Sequence, residues 1–173
     1  MQSGDLIFRV YTKDDVWYFR LFGWVQRLLF GGYCTHCGVW ANSQGYEAWD
    51  NDLKPENDLH TGSMTAGKAL VVRLHKVPPE SWTDKYFKDL KKKPFTYNYF
   101  ALFWFAVAKV WRVFFKGSPF HRNDGNICSG LTAEYLKEVA EIYPWKYVSS
   151  MVAPQEIFDH IIYNRLGSIV DER

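Results

Sequence analysis

The spacing of apolar and polar residues predicts both strands and helices in the first half of the chain. Residues 4–10, GDLIFRV, are β-branched and aromatic after a Gly-Asp turn, which predicts a strand. Residues 16–30 carry apolar side chains at helical spacing and end at two glycines, so they predict a helix. The segment 61–77 ends in a valine-rich run that predicts a strand, and the two prolines that follow mark the end of this strand.

The second half of the chain is predicted to be mainly helical. Residues 85–93, KYFKDLKKK, favour a short helix, and residues 154–166 predict another that starts at a proline. Residues 97–115 have a helical pattern so aromatic that it must face either a deep core or a ligand groove. Residues 127–143, ICSGLTAEYLKEVAEIY, have the clearest helical periodicity and place Cys128 in the first turn.

The middle of the chain predicts a β-hairpin. One strand covers His36–Ala41, a turn lies at Gly45, and a returning strand covers Tyr46–Asp50. Successive side chains of a strand alternate between its two faces. The pattern therefore places His36 on one face of the first strand and Cys37 on the other.

The motif YCTHCGVW holds two cysteines three positions apart, Cys34 and Cys37, and raises the question of a metal or redox site. A zinc site needs four converging ligands, and the sequence has no second CxxC and no HxxxH pair. The two-residue period of a strand places Cys34 and Cys37 on opposite faces. In a thioredoxin-like protein a helix would begin at the CxxC motif, and no helix is predicted to begin here. We therefore expect no metal and no organic cofactor.

His36 on the first hairpin strand, Glu47 on the second and Cys128 at a helix start have the chemistry of a cysteine nucleophile site. A thiol attacks as the thiolate, and an imidazolium together with the positive end of a helix dipole lowers its pKa. His36 would act as general base and then general acid, while Glu47 would orient the imidazole. A purely structural role, with Cys128 as a small buried hydrophobe and His36 as a hydrogen-bonded polar group, fits the same pattern.

Composition favours one domain over residues 1–173. Apolar residues make up 47% of the sequence and aromatic residues 18%, which is enough for one core but the chain is too short for two ordinary domains. The net charge of +2 gives no reason to expect a nucleic-acid partner.

Cysteine usage and the absence of targeting patterns favour a reducing compartment. The three cysteines are an odd number, and the N-terminus lacks the pattern of a signal peptide. The longest apolar run, residues 100–108, is shorter than the roughly 20 residues that span a bilayer. We expect the protein in the cytoplasm or associated with a virus or phage, without a transmembrane segment.

Five short motifs occur in an order that resembles a known hydrolase family. From the N-terminus onwards they read GDLIF, HCGVW, YEAW, VVRLHKV and NICSGLTAEYL. This order is similar to the circularly permuted, YiiX-like branch of the NlpC-type papain-like hydrolases, in which the histidine strand precedes the cysteine helix. The likeness covers most of the chain. Two features depart from the family: C-S-G stands where C-S-E is more common, and the segment between Tyr97 and Cys128 is longer and more aromatic.

The resemblance implies a fold and a role for each site residue. The fold would be α+β and papain-like in permuted order, with a small antiparallel sheet packed on the nucleophile helix. Cys128 would be the nucleophile, His36 the base and Glu47 the orienting residue. The segment KKKPFTYNYF is similar to a P-x-Y-[DN] stretch of the family, which would make Tyr97 a substrate-binding residue near the nucleophile.

The resemblance also implies a reaction, the thiol-based hydrolysis of an amide bond through an acyl-enzyme. Peptide amides, first of all those of peptidoglycan, are the expected substrate, and a lipid acyl group is the second candidate. A non-catalytic binding module on the same fold is the rival interpretation. The aromatic residues 100–115 would either pack in the core or make peripheral contact with a membrane.

Overall fold

The structure is a computed structural model, and it describes only part of the chain. The described residues are 1–10, 17, 20, 21, 24, 27, 28, 31–49, 52–56, 68–92, 128–145 and 152–172. The predicted aromatic helix over residues 97–115, with the candidate binding residue Tyr97, lies outside the described residues.

Six strands of the described chain form one antiparallel sheet. They are β1 (Leu6–Val10), β2 (His36–Ala41), β3 (Gln44–Trp49), β4 (Asp52–Glu56), β5 (Lys68–Leu74) and β6 (Gly167–Glu172). Their order across the sheet is β4-β3-β2-β1-β5-β6, so the first strand of the sequence lies in the middle. The predicted strands near the N-terminus, in the hairpin and before the two prolines are all present.

Helices cover one side of this sheet. They are α1 (Glu80–Leu90), α2 (Cys128–Glu138) and α3 (Pro154–Tyr163). The helix α2 packs against β2 and β3, α1 packs against β2, and α3 contacts both α2 and β6. The α+β class and the small antiparallel sheet packed on the cysteine helix are therefore as expected from the sequence.

The core lies between the sheet and these helices. Phe87 of α1 is fully buried, stacks on Tyr46 of β3 at a centroid distance of 4.8 Å, and contacts the ring of Tyr135 of α2 at 5.7 Å. From the sheet, Leu6, Phe8, Cys37, Val39, Val72 and Leu74 join the same buried cluster. Burial of these large apolar side chains provides the main favourable term for docking α2 onto the sheet.

The hairpin turn differs from the one predicted at Gly45. The turn consists of Asn42 and Ser43, which have φ values of 48° and 60°, and Gly45 lies inside β3 opposite Trp40. A two-residue turn with positive φ at both positions matches the twist of the flanking strands, and asparagine tolerates this conformation well. The backbone N–H of Asn42 also donates to Asp84 of α1 at 2.8 Å, which fixes the turn against a helix.

Two strands at the edges of the sheet, β4 and β6, have no counterpart in the sequence predictions. Their sequences are DLKPE and GSIVDE, which combine charged residues with proline or glycine rather than the alternation of a half-buried strand. Edge strands tolerate proline and charge because one side of the ladder is open. Main-chain pairing to β3 and β5 therefore defines these two strands.

The helix predicted over residues 16–30 is helical at each of its six described positions. The backbone N–H of Gly31 donates to the carbonyl of Arg27 at 2.9 Å, and Gly31 and Gly32 have φ values of 68° and 73°. Left-handed glycines of this kind commonly terminate helices. The predicted stop at the two glycines is confirmed.

Gly32 also fixes the chain against α3. A Cβ atom at this position would lie 2.0 Å from the side chain of Gln155, so only glycine fits without displacing it. The Gln155 carbonyl oxygen accepts hydrogen bonds from the backbone N–H groups of Tyr33 and Cys34, each at 2.8 Å. The segment that leads into β2 is thereby held in place two residues before His36.

Candidate active site

Cys128 is the first residue of α2 and lies against the beginning of β2. Its side chain is buried, with 6% of the residue exposed. The imidazole of His36 and the thiol and backbone N–H of Cys37 all interact with the Cys128 side chain. Two consecutive residues of β2 therefore lie against the same sulfur.

His36 connects Cys128 to Glu47. The His36 Nε2 atom is hydrogen-bonded to Glu47 Oε2, and the imidazole also interacts with Cys128. His36 begins β2 and Glu47 lies on the neighbouring strand β3, so strand pairing sets their separation. Both residues are buried. The structure thus brings the three candidate catalytic residues into one continuous chain of contacts.

The electrostatics of this chain favour an ion pair between Cys128 and His36. The hydrogen bond from the Cys37 thiol, together with the charge and hydrogen bond of His36, lowers the pKa of Cys128 well below its usual range, although burial opposes the change. Burial alone would lower the pKa of His36, but the negative charges of Cys128 and Glu47 outweigh it and raise that pKa to about 10. Both shifts favour the thiolate and imidazolium forms of the pair over the neutral forms.

Arg9 is a member of the site that the sequence predictions do not include. It lies on β1 directly opposite His36 in the strand register, and its Nη2 atom is 3.6 Å from Glu47 Oε1. Its side chain is only 7% exposed. An arginine inside an otherwise apolar strand is the signal in the sequence, since buried arginines are nearly always paired. Arg9 thus meets one oxygen of the Glu47 carboxylate while His36 meets the other.

Cys37 also belongs to the site, although the sequence analysis gives it no role there. Its thiol lies against both Cys128 and Thr132 of α2. Burial, followed by the hydrogen bond to Cys128, raises the pKa of Cys37 well above its usual range. This shift favours the neutral thiol of Cys37, a form that can donate toward the Cys128 sulfur.

The expectation that Cys34 and Cys37 lie on opposite faces is wrong. The strand β2 begins at His36, so its alternation does not extend back to Cys34, and both cysteines belong to the same buried core cluster. Burial, with a smaller effect of Asp159, raises the pKa of the Cys34 thiol to about 12. Of the three cysteines, only Cys128 has a lowered pKa.

The described residues offer no metal site. Within them, no group of three or more His, Cys, Asp or Glu side chains is placed to hold a metal ion. His36 and Cys128 interact with each other, and each also interacts with a second neighbour, Glu47 and Cys37 respectively. A further finding concerns membranes: within the part of the chain that the structure describes, no helix is both long and apolar enough to cross a bilayer.

The fold is similar to that of a known crystal structure over nearly the whole chain. The crystal structure of metalloprotein YiiX from Escherichia coli O157:H7, a DUF1105 protein, matches with a TM-score of 0.50 and 18% sequence identity. The match covers 99% of this chain and 97% of YiiX. No family model matches the sequence, and no curated protein matches it. At this identity the likeness shows a YiiX-like fold and nothing about activity.

Proposed function

We propose that the protein is a cysteine hydrolase, an amidase or peptidase of permuted papain-like architecture that uses Cys128, His36 and Glu47 as a catalytic triad. The observation that carries the proposal is the buried chain of contacts from Cys128 through His36 to Glu47. A cysteine nucleophile needs a lowered pKa, an imidazole within hydrogen-bond reach and a group that orients the imidazole. All three requirements have a named residue here.

The reaction follows from the charge state of the pair. The Cys128 thiolate attacks the carbonyl carbon of the substrate and forms a tetrahedral intermediate. His36, as imidazolium, gives its proton to the leaving amine as the carbon–nitrogen bond breaks, and an acyl-enzyme remains. Neutral His36 then takes a proton from water, the resulting hydroxide attacks the acyl-enzyme, and the acid product leaves with the thiolate and imidazolium restored.

Glu47 and Arg9 support this cycle without touching the substrate. Glu47 accepts from Nε2 of His36, which keeps the ring oriented and stabilises the imidazolium. The guanidinium of Arg9 pairs with the other oxygen of the Glu47 carboxylate, with 3.6 Å between Nη2 and Oε1. Each of these groups is buried, so water does not screen their charges. The electrostatic interaction between neighbouring groups is therefore strong.

Peptide amides are the proposed substrate class, with peptidoglycan crosslinks as the first compounds to test. The motif resemblance to NlpC-type hydrolases supports this choice, and the YiiX-like fold is compatible with it. No metal or organic cofactor takes part in the proposed steps. A lipid acyl ester is attacked by the same chemistry and belongs in the same substrate panel.

The proposal is tested by trapping the acyl-enzyme. The protein is incubated with muropeptides, with a simple peptide amide and with a phospholipid, quenched in acid, and its intact mass and Cys128 peptide are measured. The expected result is an adduct on Cys128 with one class and its absence in Cys128→Ala, with Cys34→Ala as the matched cysteine control. If no class gives turnover or an adduct, while Cys128→Ala binds one of them as well as the original protein, the molecule is a binding module instead.

A further inference from the structure

A row of large apolar side chains is exposed on the helical residues near the N-terminus. Trp17, Leu21, Trp24 and Leu28 are 72%, 53%, 60% and 69% exposed. We call these four residues the exposed stripe. Monomeric proteins seldom leave contiguous apolar patches of this kind uncovered unless the patch binds something.

The stripe occupies one narrow face of its helix. The four residues are separated by four, three and four positions, and at about 100° per residue they fall within an arc of about 60°. On the same geometry, Arg20 and Arg27 lie about 70–90° to one side of the centre of the stripe. Both arginines are helical, and Arg20 is exposed. The helix therefore presents an apolar ridge with basic residues along one flank.

The orientation of the stripe is set by the end of the helix. Gly31 closes it with a hydrogen bond to the Arg27 carbonyl, and Gly32 sits against the Gln155 side chain of α3. These contacts fix the last turn to the folded domain, so the side chains of Trp24 and Leu28 project outward from a fixed point rather than from a loose tail.

We infer that the exposed stripe docks the protein on an anionic lipid bilayer, with the helix lying in the plane of the interface. Tryptophan favours the interface because its ring is apolar while its N–H bonds to headgroups. Leucine adds apolar area that enters the acyl boundary. Arg20 and Arg27 are placed to meet lipid phosphates beside the ridge, and this charge complementarity selects a lipid surface over an apolar protein groove.

This surface is independent of the proposed reaction and of the earlier expectation for residues 100–115. The stripe includes no residue of the candidate active site, and it lies in a different segment from residues 100–115. Cys128→Ser is accordingly expected to bind vesicles as well as the original protein, so failure of the docking inference and failure of the proposed hydrolase can be told apart.

The test is co-sedimentation with phosphatidylcholine vesicles that contain or lack phosphatidylserine. In Trp17→Gln with Trp24→Gln, binding to the anionic vesicles is expected to fall by about tenfold or more, because two indole rings leave the interface. The matched control is Trp82→Gln on α1, which removes a tryptophan that is 62% exposed outside the stripe and leaves binding unchanged.

A charge-reversal pair tests the basic flank. Arg20→Glu with Arg27→Glu is expected to weaken binding to anionic vesicles by about fivefold or more per position and to have little effect on neutral ones. Lys85→Glu with Lys88→Glu on the exposed side of α1 is the control for net charge. Thermal unfolding of each variant verifies folding, and Leu21→Gln with Leu28→Gln replaces the tryptophan pair if that pair does not fold.

Three results would overturn the inference. The first is no binding to anionic vesicles, and the second is equal binding by the stripe variants and their controls. The third is a dimer, seen by light scattering without lipid, that disappears when Trp17 and Trp24 are replaced, because the stripe would then serve self-association. Loss of vesicle binding confined to the stripe and its arginine flank supports the inference.

Discussion

The thiol of Cys37 lies against Cys128, and the interaction between them is the largest cause of the lowered pKa of Cys128. The two residues belong to β2 and α2, so this contact joins the sheet to the helix at the candidate site. Because Cys37 directly follows His36, one short stretch of strand supplies both the imidazole and a second donor. The reactivity of Cys128 is therefore expected to depend on two neighbouring residues and not on the histidine alone.

Cys37→Ala tests the second donor. Removing the thiol leaves the thiolate with one hydrogen bond fewer, and a hydrogen bond to a charged group is worth enough to slow alkylation of Cys128 near pH 6 by about tenfold. Cys37→Ser retains a hydroxyl donor in nearly the same volume and should slow it less. The rates are followed with iodoacetamide by mass spectrometry of the Cys128 peptide. Identical profiles for Cys37→Ala and the original protein would show that Cys37 only fills space.

Glu47→Gln tests the buried charges behind His36. The substitution removes the carboxylate that pairs with both His36 and Arg9, and breaking a buried ion pair of this kind costs about 3 kcal/mol of unfolding free energy. Glu172→Gln is the control, because its pair with Lys68 is about half exposed, at 52% and 48%, and surface pairs contribute less than about 1 kcal/mol. Urea unfolding of both variants measures the loss of unfolding free energy. Equal losses would mean that the buried network stabilises the protein no more than the surface pair does.

The ion pair also predicts how stability depends on pH. The pKa of His36 is raised from 6.5 to about 10, so its contribution is complete below pH 6.5 and is lost as pH rises through about 10. The pKa of Cys128 is lowered from 9.0, so its contribution is present above pH 9 and is lost as pH falls through the lowered value. Where both contributions change with pH, below pH 9, the two slopes are opposite and cancel.

The expected result is a plateau in the stability that the pair provides. Urea unfolding is measured at a series of pH values for the original protein and for Cys128→Ser with His36→Gln. The difference in unfolding free energy between the two proteins should be nearly constant in the range just below pH 9 and should shrink as pH rises toward 10. A difference that slopes steadily across the plateau region would mean that only one of the two groups is charged in the folded protein.

A matched pair of glycine substitutions tests the connection into β2. Gly31→Ala is expected to cost about 1–2 kcal/mol, because alanine is strained at its φ of 68° and nothing lies within 4 Å of the added Cβ. Gly32→Ala has the same strain and also collides with Gln155, so it should cost clearly more. Thermal and urea unfolding measure both. Equal costs would show that Gln155 moves aside freely.

Much of the central sheet and of the helices follows from patterning alone. The strand β1, the hairpin strands, β5 and the helices near Cys128 and Pro154 are elements whose apolar spacing matches their burial. The edge strand β4 could not be predicted from periodicity, since it is defined by main-chain pairing. The turn at Asn42 and Ser43 was less evident than Gly45 because positive φ at two non-glycine residues is uncommon.

The candidate site was only partly predictable. His36, Glu47 and Cys128 have a chemical signature in the sequence, and the structure places them together, while their catalytic roles remain predictions. Arg9 depends on strand register, because it meets Glu47 only when β1 lies beside β2. The contact between Cys37 and the site depends on which helix packs against that face of β2. The alternation of side chains along a strand does not specify the helix.

The central claim is that Cys128 is a thiolate paired with the imidazolium of His36, and its most direct test is the pH profile of Cys128 alkylation with and without that histidine. In the original protein Cys128 should react rapidly at neutral pH, while Cys34 and Cys37 react slowly because burial raises the pKa of each thiol. In His36→Ala the alkylation rate of Cys128 at pH 6.5 should fall by about 100-fold, because an ordinary cysteine has a thiolate fraction of only about 1% at this pH. A profile that rises only near pH 8.5 in the original protein, and that is unchanged in His36→Ala, would contradict the ion pair and with it the proposed hydrolase.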